Sequence, residues 1–212
     1  MIKHSLLILA VIFFSLNMGA SGIAPSFAST YGSRLIKKRN ALLLFGIFVI
    51  LGAVILGRNV AVTLGKGLLP KEVMSFDVVL VILAAASLSL FLANILRIPQ
   101  STSQVTVGAI VSAGVYFRQI NLKPLGFRRL PMWVILPLLS YLLTLWVYRI
   151  VYPPGRNNLH IYEKIFANEK KMKISALVVS AYVSFAIGSN NVANAVGPLF
   201  GAGLVGVSAG LL

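Results

Sequence analysis

ISALVVSAYVSFAIGSNNVANAVGPLF, residues 174–200, carries no charge over a length that suffices for a membrane crossing, yet sets Asn190, Asn191 and Asn194 within a turn and a half. A crossing takes about 20 mostly apolar residues. The rest of the chain decides what kind of segment this is. Of its 212 residues 58% are hydrophobic and 11% charged, and the mean hydropathy is +0.91. Soluble domains run near a quarter charged and under half apolar. Disorder is excluded by the apolar content and a disulfide scaffold by the absence of Cys. Two His without Cys supply too few ligands for a zinc or iron–sulfur centre. Nineteen Lys and Arg against four Asp and Glu give a net charge of +15. In a soluble protein that balance would suggest nucleic acid; here the charges punctuate apolar runs. The chain is an integral membrane protein, and no nucleic-acid partner is expected.

Four further stretches qualify as spans: 6–28, 41–57, Phe76–Leu96 and 130–152. A sixth, 105–117, is short and rich in small residues, which fits a half-helix or re-entrant segment. Each run is continuously apolar and lacks the alternation of barrel strands. An all-α, multi-pass helix bundle in the cell (inner) membrane is therefore expected. One Lys precedes the first span, and Arg34, Lys37, Lys38 and Arg39 follow it. This bias places the loop at 34–39 in the cytoplasm and the amino terminus outside; the later loops are nearly balanced and add nothing. Residues 6–16 behind Lys3 also fit a signal peptide, but a cleaved leader has no reason to resemble a later span.

Such a resemblance exists. SLNMGASGIAPS, residues 15–26, aligns with SFAIGSNNVANA, residues 184–195, with Ser, Gly and Ala coincident at three positions and Ile23 opposite Val192. Both segments interrupt an apolar run with glycine and uncharged polar groups, which are costly in hydrocarbon unless partnered or lining a cavity. Paired interruptions of this kind point to the midplane site of a secondary transporter, with broken helices at the site. If 105–117 crosses, the two motifs lie an odd number of spans apart and the repeats are inverted. Close helix packing through small residues accounts for Gly19 and Gly22 equally well. It does not account for three asparagines. The expected organisation is a first transmembrane repeat at 1–152, a basic inter-repeat loop at 153–173, and the start of an incomplete second repeat at 174–212. The missing half would come from downstream sequence, a second copy or a second half-transporter chain.

A third element is IPQSTSQVTVGA, residues 98–109. Proline precedes a hydroxyl run that opens a small-residue helix, with Ser101 or Thr102 as N-cap. Free N–H groups, the positive dipole end and adjacent hydroxyls suit an oxyanion, although an ordinary capped helix start reads the same way.

Together these motifs resemble the inorganic phosphate transporter family of secondary carriers, whose signature reads G-A-N-D-V-A-N-A once per inverted half. Residues 188–198 match it with Ser189 for Ala and Asn191 for Asp; residues 19–26 match it more loosely. Residues 99–104, leading to 108–111, resemble the family's P-V-S-T-T-H…G-A-I-V. The sulfate permease branch of the family is resembled in particular: its N-x-G-A-S-G matches 17–22, its N-N-V-A-N-A-V-G-P-L matches 190–199, and its S-T-S-E-V-T-V-G matches 101–108 with Gln104 for Glu. The resemblance covers the family's first half and the opening of its second. It implies a substrate-binding set of Asn17, Gly19, Ala20, Ser21, Ser101, Thr102, Ser103, Asn190, Asn191 and Asn194, with Asn190 and Asn194 as candidate Na⁺ contacts and no cofactor. It also implies alternating access coupled to H⁺ or Na⁺.

Chemistry favours sulfate. Phosphate near neutral pH carries a P–OH donor that a dry site must meet with an acceptor, whereas sulfate only accepts. Gly22 and Asn191 stand where the phosphate carriers have Asp. Phosphate transport is the alternative within this class, and a non-transporting membrane subunit the alternative outside it. No enzyme is expected, because there is no His/Asp/Ser constellation, carboxylate pair or phosphate-cradling Gly-Lys loop. A proton relay needs a titratable group within the membrane. Asp77 reads as a span-end anchor, Glu72, Glu163 and Glu169 lie in connections, and His4 and His160 read as solvated.

Overall fold

The computed structural model describes residues 2–65, 68–121, 126, 130–156 and 158–204. Among them every regular element is a helix: α1 (Ile2–Gly32), α2 (Lys38–Gly65), α3 (Phe76–Leu96), α4 (Thr102–Tyr116), α5 (Leu130–Val151), α6 (Leu159–Phe166) and α7 (Glu169–Gly201). Five of these, α1, α2, α3, α5 and α7, are long and apolar enough to cross a membrane. These are the five spans expected: α1, α2 and α7 run beyond the expected bounds, while α3 and α5 keep them to within one residue. At 15 residues α4 reaches only ~22 Å, short of a hydrocarbon core of about 30 Å. It covers the short sixth segment expected at 105–117.

The described residues cluster into two compact units, one of residues up to Asn121 together with those from Ser180 onward, the other of the residues between. In the first unit α1 and α3 run parallel. Successive contacts keep one register: Ser87 Oγ reaches the carbonyl of Ala10 at 3.4 Å, the Phe13 and Phe91 rings meet at 5.3 Å, and Asn94 bonds Asn17. Phe14, Ile82, Leu83 and Leu90 are fully buried in this unit. α2 folds back on α1 through a small core of Phe27, Ala41 and Phe45, against which Ile187 of α7 packs.

Three helices of this unit end on an arginine in the left-handed region, Arg34, Arg97 and Arg118 (φ between 56° and 59°). Glycine usually fills that position. In each case the residue after the arginine bonds back across the last turn, as Ile98 N does to Ala93 O at 2.9 Å. A cation here also meets the negative end of the helix dipole.

In the second unit no residue of α5 is buried. α6 lies inside the stretch expected as loop, where its two-sided sequence forms a short helix.

The breaks expected at the two motifs are not seen. α1 and α7 run as single helices through them, each with a proline inside, Pro25 and Pro198. The reason is local: the polar side chains fold back onto their own helix. Asn17 Nδ2 donates to Phe13 O (2.8 Å), Ser21 Oγ to Met18 O (3.0 Å), Ser184 Oγ to Ser180 O (2.8 Å) and Ser189 Oγ to Ala186 O (2.8 Å). Polar groups paired in this way cost little in an apolar setting.

Candidate functional site

The hydroxyl element and the three asparagines, 87 or more residues apart in sequence, meet in one polar cluster. Proline at 99 and the left-handed Arg97 end α3 and turn the chain, so α4 starts with Ser101 as N-cap, its Oγ accepting from Gln104 N at 3.4 Å. The next two side chains point to α7. Thr102 Oγ1 donates to Asn191 Oδ1 (3.1 Å) and accepts from Asn194 Nδ2 (3.3 Å). Ser103 Oγ accepts from both Asn190 Nδ2 (2.7 Å) and Asn194 Nδ2 (3.3 Å). Helical spacing explains the grouping, since residues three and four apart share a face.

Hydrogen counting shows what this cluster leaves unused. Ser103 Oγ has both lone pairs engaged, so its proton points away from them with no acceptor among the described residues. The Asn191 amide accepts through oxygen, which leaves its N–H₂ free of described partners. Asn194 is 1% exposed, and its buried Oδ1 has no partner among the described residues. Such an orphan costs on the order of 1–3 kcal/mol unless something fills it. The cluster therefore offers free donors to an anion and a buried free acceptor to a cation. It contains no carboxylate, and no group of three or more His, Cys, Asp or Glu occurs among the described residues.

Among the described residues the first motif shares no hydrogen bond with this cluster. Ala20 and Ser21 line a cleft of about 560 Å³ with Pro25, Asn94, Arg97 and Gln100. Asn17 is buried, and both its carbonyl and its Oδ1 accept from Asn94 Nδ2 at 3.2 Å. Gly19 faces open space, and Ser101 is a surface cap. Asn94 and Arg97 were missed from sequence. Asn94 is the one amide in α3 and could have been flagged as a polar group in an apolar run; Arg97 carries no local signal beyond its charge.

Gly22 is not an acceptor position in waiting. A Cβ there would stand 3.1 Å from both Ile187 Cγ2 and Phe45 Cζ, so the residue serves the packing of α1 on α2 and α7. The crossing of α2 and α7 is tighter still. A side chain at Gly52 would run into the carbonyl oxygen of Phe185, and one at Gly188 into that of Val49. Backbone meets backbone there, one turn before the asparagines, and small residues at membrane helix crossings permit this.

Comparison with known proteins agrees with these motifs. The profile of the phosphate transporter family matches residues 18–208. Sulfate permease CysP of Bacillus subtilis is 41% identical over 206 residues, 97% of this chain and 56% of that one. A putative phosphate permease of Mycobacterium bovis is 30% identical over 166 residues, 69% of this chain and 30% of that one. A solved structure described as the sodium-dependent phosphate transporter superposes with a TM-score of 0.73 at 25% identity, over 98% of this chain and 69% of that one. The chain thus spans little more than half the length of the sulfate permease. It is a helical, multi-pass membrane protein that belongs to the phosphate transporter family.

Proposed function

We propose that the chain takes part in secondary transport of an inorganic oxyanion, sulfate in preference to phosphate, coupled to a cation by alternating access. The observation that carries this reading is the unused hydrogen-bonding capacity of one cluster: the Ser103 hydroxyl and Asn191 amide as donors, the buried Asn194 oxygen as acceptor. Donors suit the anion, assisted by the amino end of α4. The acceptor suits Na⁺ rather than H⁺, because an amide oxygen ligates a metal ion but does not titrate near neutral pH. Opposed contacts along α1 and α7, Thr30 with Ser180 (3.3 Å) and Gly22 against Ile187, favour an inverted arrangement of the two motifs.

Selectivity follows from Asn191. Its oxygen is occupied by Thr102, so it presents N–H₂ to the site. A carboxylate there would repel sulfate and accept the proton of phosphate. The test is competitive uptake of labelled sulfate over a pH series, with cells that lack their own carriers and express this chain. Thiosulfate, selenate and molybdate should compete better than phosphate, with the gap narrowing as pH rises and phosphate loses one of its protons, so that fewer donors go unpaired. Asn191→Asp should move preference towards phosphate. Phosphate competing as well as thiosulfate at every pH would overturn the sulfate assignment and favour the phosphate reading that several relatives' names carry.

A further inference from the structure

We infer that the segment from Tyr148 to Lys173 is a preformed surface for anionic phospholipid headgroups. α5 is a span by length and composition, so its carboxyl end stands at a membrane–water boundary. From there a ladder of rings leads onto α6: Tyr148 to Tyr152 at 5.5 Å, Tyr152 to Tyr162 at 6.4 Å, and Tyr162 to Phe166 at 4.5 Å. These contacts hold α6 within ring distance of the end of the span. Asn158 fastens the same corner. Its Oδ1 accepts from Gly155 N at 2.6 Å, and its Nδ2 donates to the carbonyls of Ile150 and Pro153, both at 3.1 Å. No residue of α6 is buried, and Leu159, Ile165 and Phe166 are each more than 40% exposed. A short helix with apolar and aromatic side chains left uncovered at this depth has the character of an interfacial helix, and tyrosines are the residues that settle among headgroups.

Charge selects the kind of headgroup. Between 149 and 173 stand Arg149, Arg156, Lys164, Lys170, Lys171 and Lys173 against Glu163 and Glu169. Among the described residues the one ion pair is Lys3 with Asp77, in the other unit. All six cations are without an ionic partner among the described residues; Arg149 lies on α5 and Lys164 on α6, the two helices that the ring ladder joins, Arg156 lies between them, and Lys170, Lys171 and Lys173 follow on the first turns of α7. Basic residues in that position are attracted to anionic lipid and are screened by salt. This surface is independent of the anion site: none of its residues belongs to the polar cluster.

The experiment compares the full chain in nanodiscs of pure phosphatidylcholine and of phosphatidylcholine mixed with phosphatidylglycerol, following backbone hydrogen exchange over 159–173. Exchange should be at least ~tenfold slower with phosphatidylglycerol present, and roughly 0.5 M salt should remove the difference. K164Q/K170Q/K171Q/K173Q should abolish it, while the corresponding Lys→Arg variant keeps it; exchange in α2 serves as the control for folding in every sample. Equal protection in the two lipids, or protection unchanged by the Lys→Gln set, would overturn the proposal and leave the segment as an apolar anchor without headgroup preference.

Discussion

Thr102 is the residue on which the polar cluster turns. It passes one hydrogen bond on from Asn194 to Asn191, so the chain of donors and acceptors has a direction. Thr102→Val keeps the shape and removes both roles, leaving the Asn191 oxygen without its donor and freeing that amide to turn. The expected loss is about 1–3 kcal/mol of stability, read as a lowered thermal midpoint of the purified chain, together with loss of anion uptake. Thr102→Ser, which keeps the hydroxyl, should retain both. A valine variant with wild-type uptake would remove Thr102 from the site. The same residue shows what sequence could reveal. The hydroxyl run marked 101–103 as a group, but which hydroxyl caps and which two point to α7 depends on the exit angle from α3.

For α4 this division of labour separates two effects that composition alone joins. Ser101 caps the helix from the surface, whereas Thr102 and Ser103 bond across to α7. Ser101→Ala should cost about 1 kcal/mol of stability and leave sulfate affinity unchanged. Thr102→Ala with Ser103→Ala should lower affinity at least tenfold, about 1.4 kcal/mol, in a direct binding titration. Equal effects of the two changes would return the whole element to a capping role. The number of spans and the shortness of α4 were legible because hydrophobic runs and their length are local properties. The unbroken course of α1 and α7 was not. Glycine and serine in an apolar run fit either an opened helix or a closed one, and only the bonds of Asn17, Ser21, Ser184 and Ser189 to their own helix decide between them.

Across the molecule, acidic groups are confined to four residues, and none lies in the polar cluster. Asp77 forms an ion pair with Lys3 at 2.9 Å with both side chains about two-thirds exposed. Exposed pairs of this kind contribute little. Asp77→Asn should therefore leave uptake and its pH dependence unchanged; loss of transport would identify a proton-carrying role instead. Replacing external Na⁺ with choline should reduce uptake if the Asn194 oxygen holds the coupling cation. The family was legible in sequence because its motifs are contiguous. Asn94, Gly52 and Asn158 were not, since each matters through a partner remote in the chain or through a backbone approach that leaves no pattern.

The bare crossing of α2 and α7 sets a rule for how this sequence can drift. At positions 52 and 188 any missense codon adds at least a methyl group against a carbonyl that cannot step aside, so a saturation scan should find both columns intolerant of every substitution. Gly22 and Gly114, where an added Cβ would meet only side chains, should form a graded middle class. Gly19, Gly46 and Gly108, with nothing within 4 Å of that atom, should accept alanine. Intolerance at 52, far from any signature motif, is then inherited from the motif helix it touches. Two distant columns become a single unit of selection because their main chains share one contact.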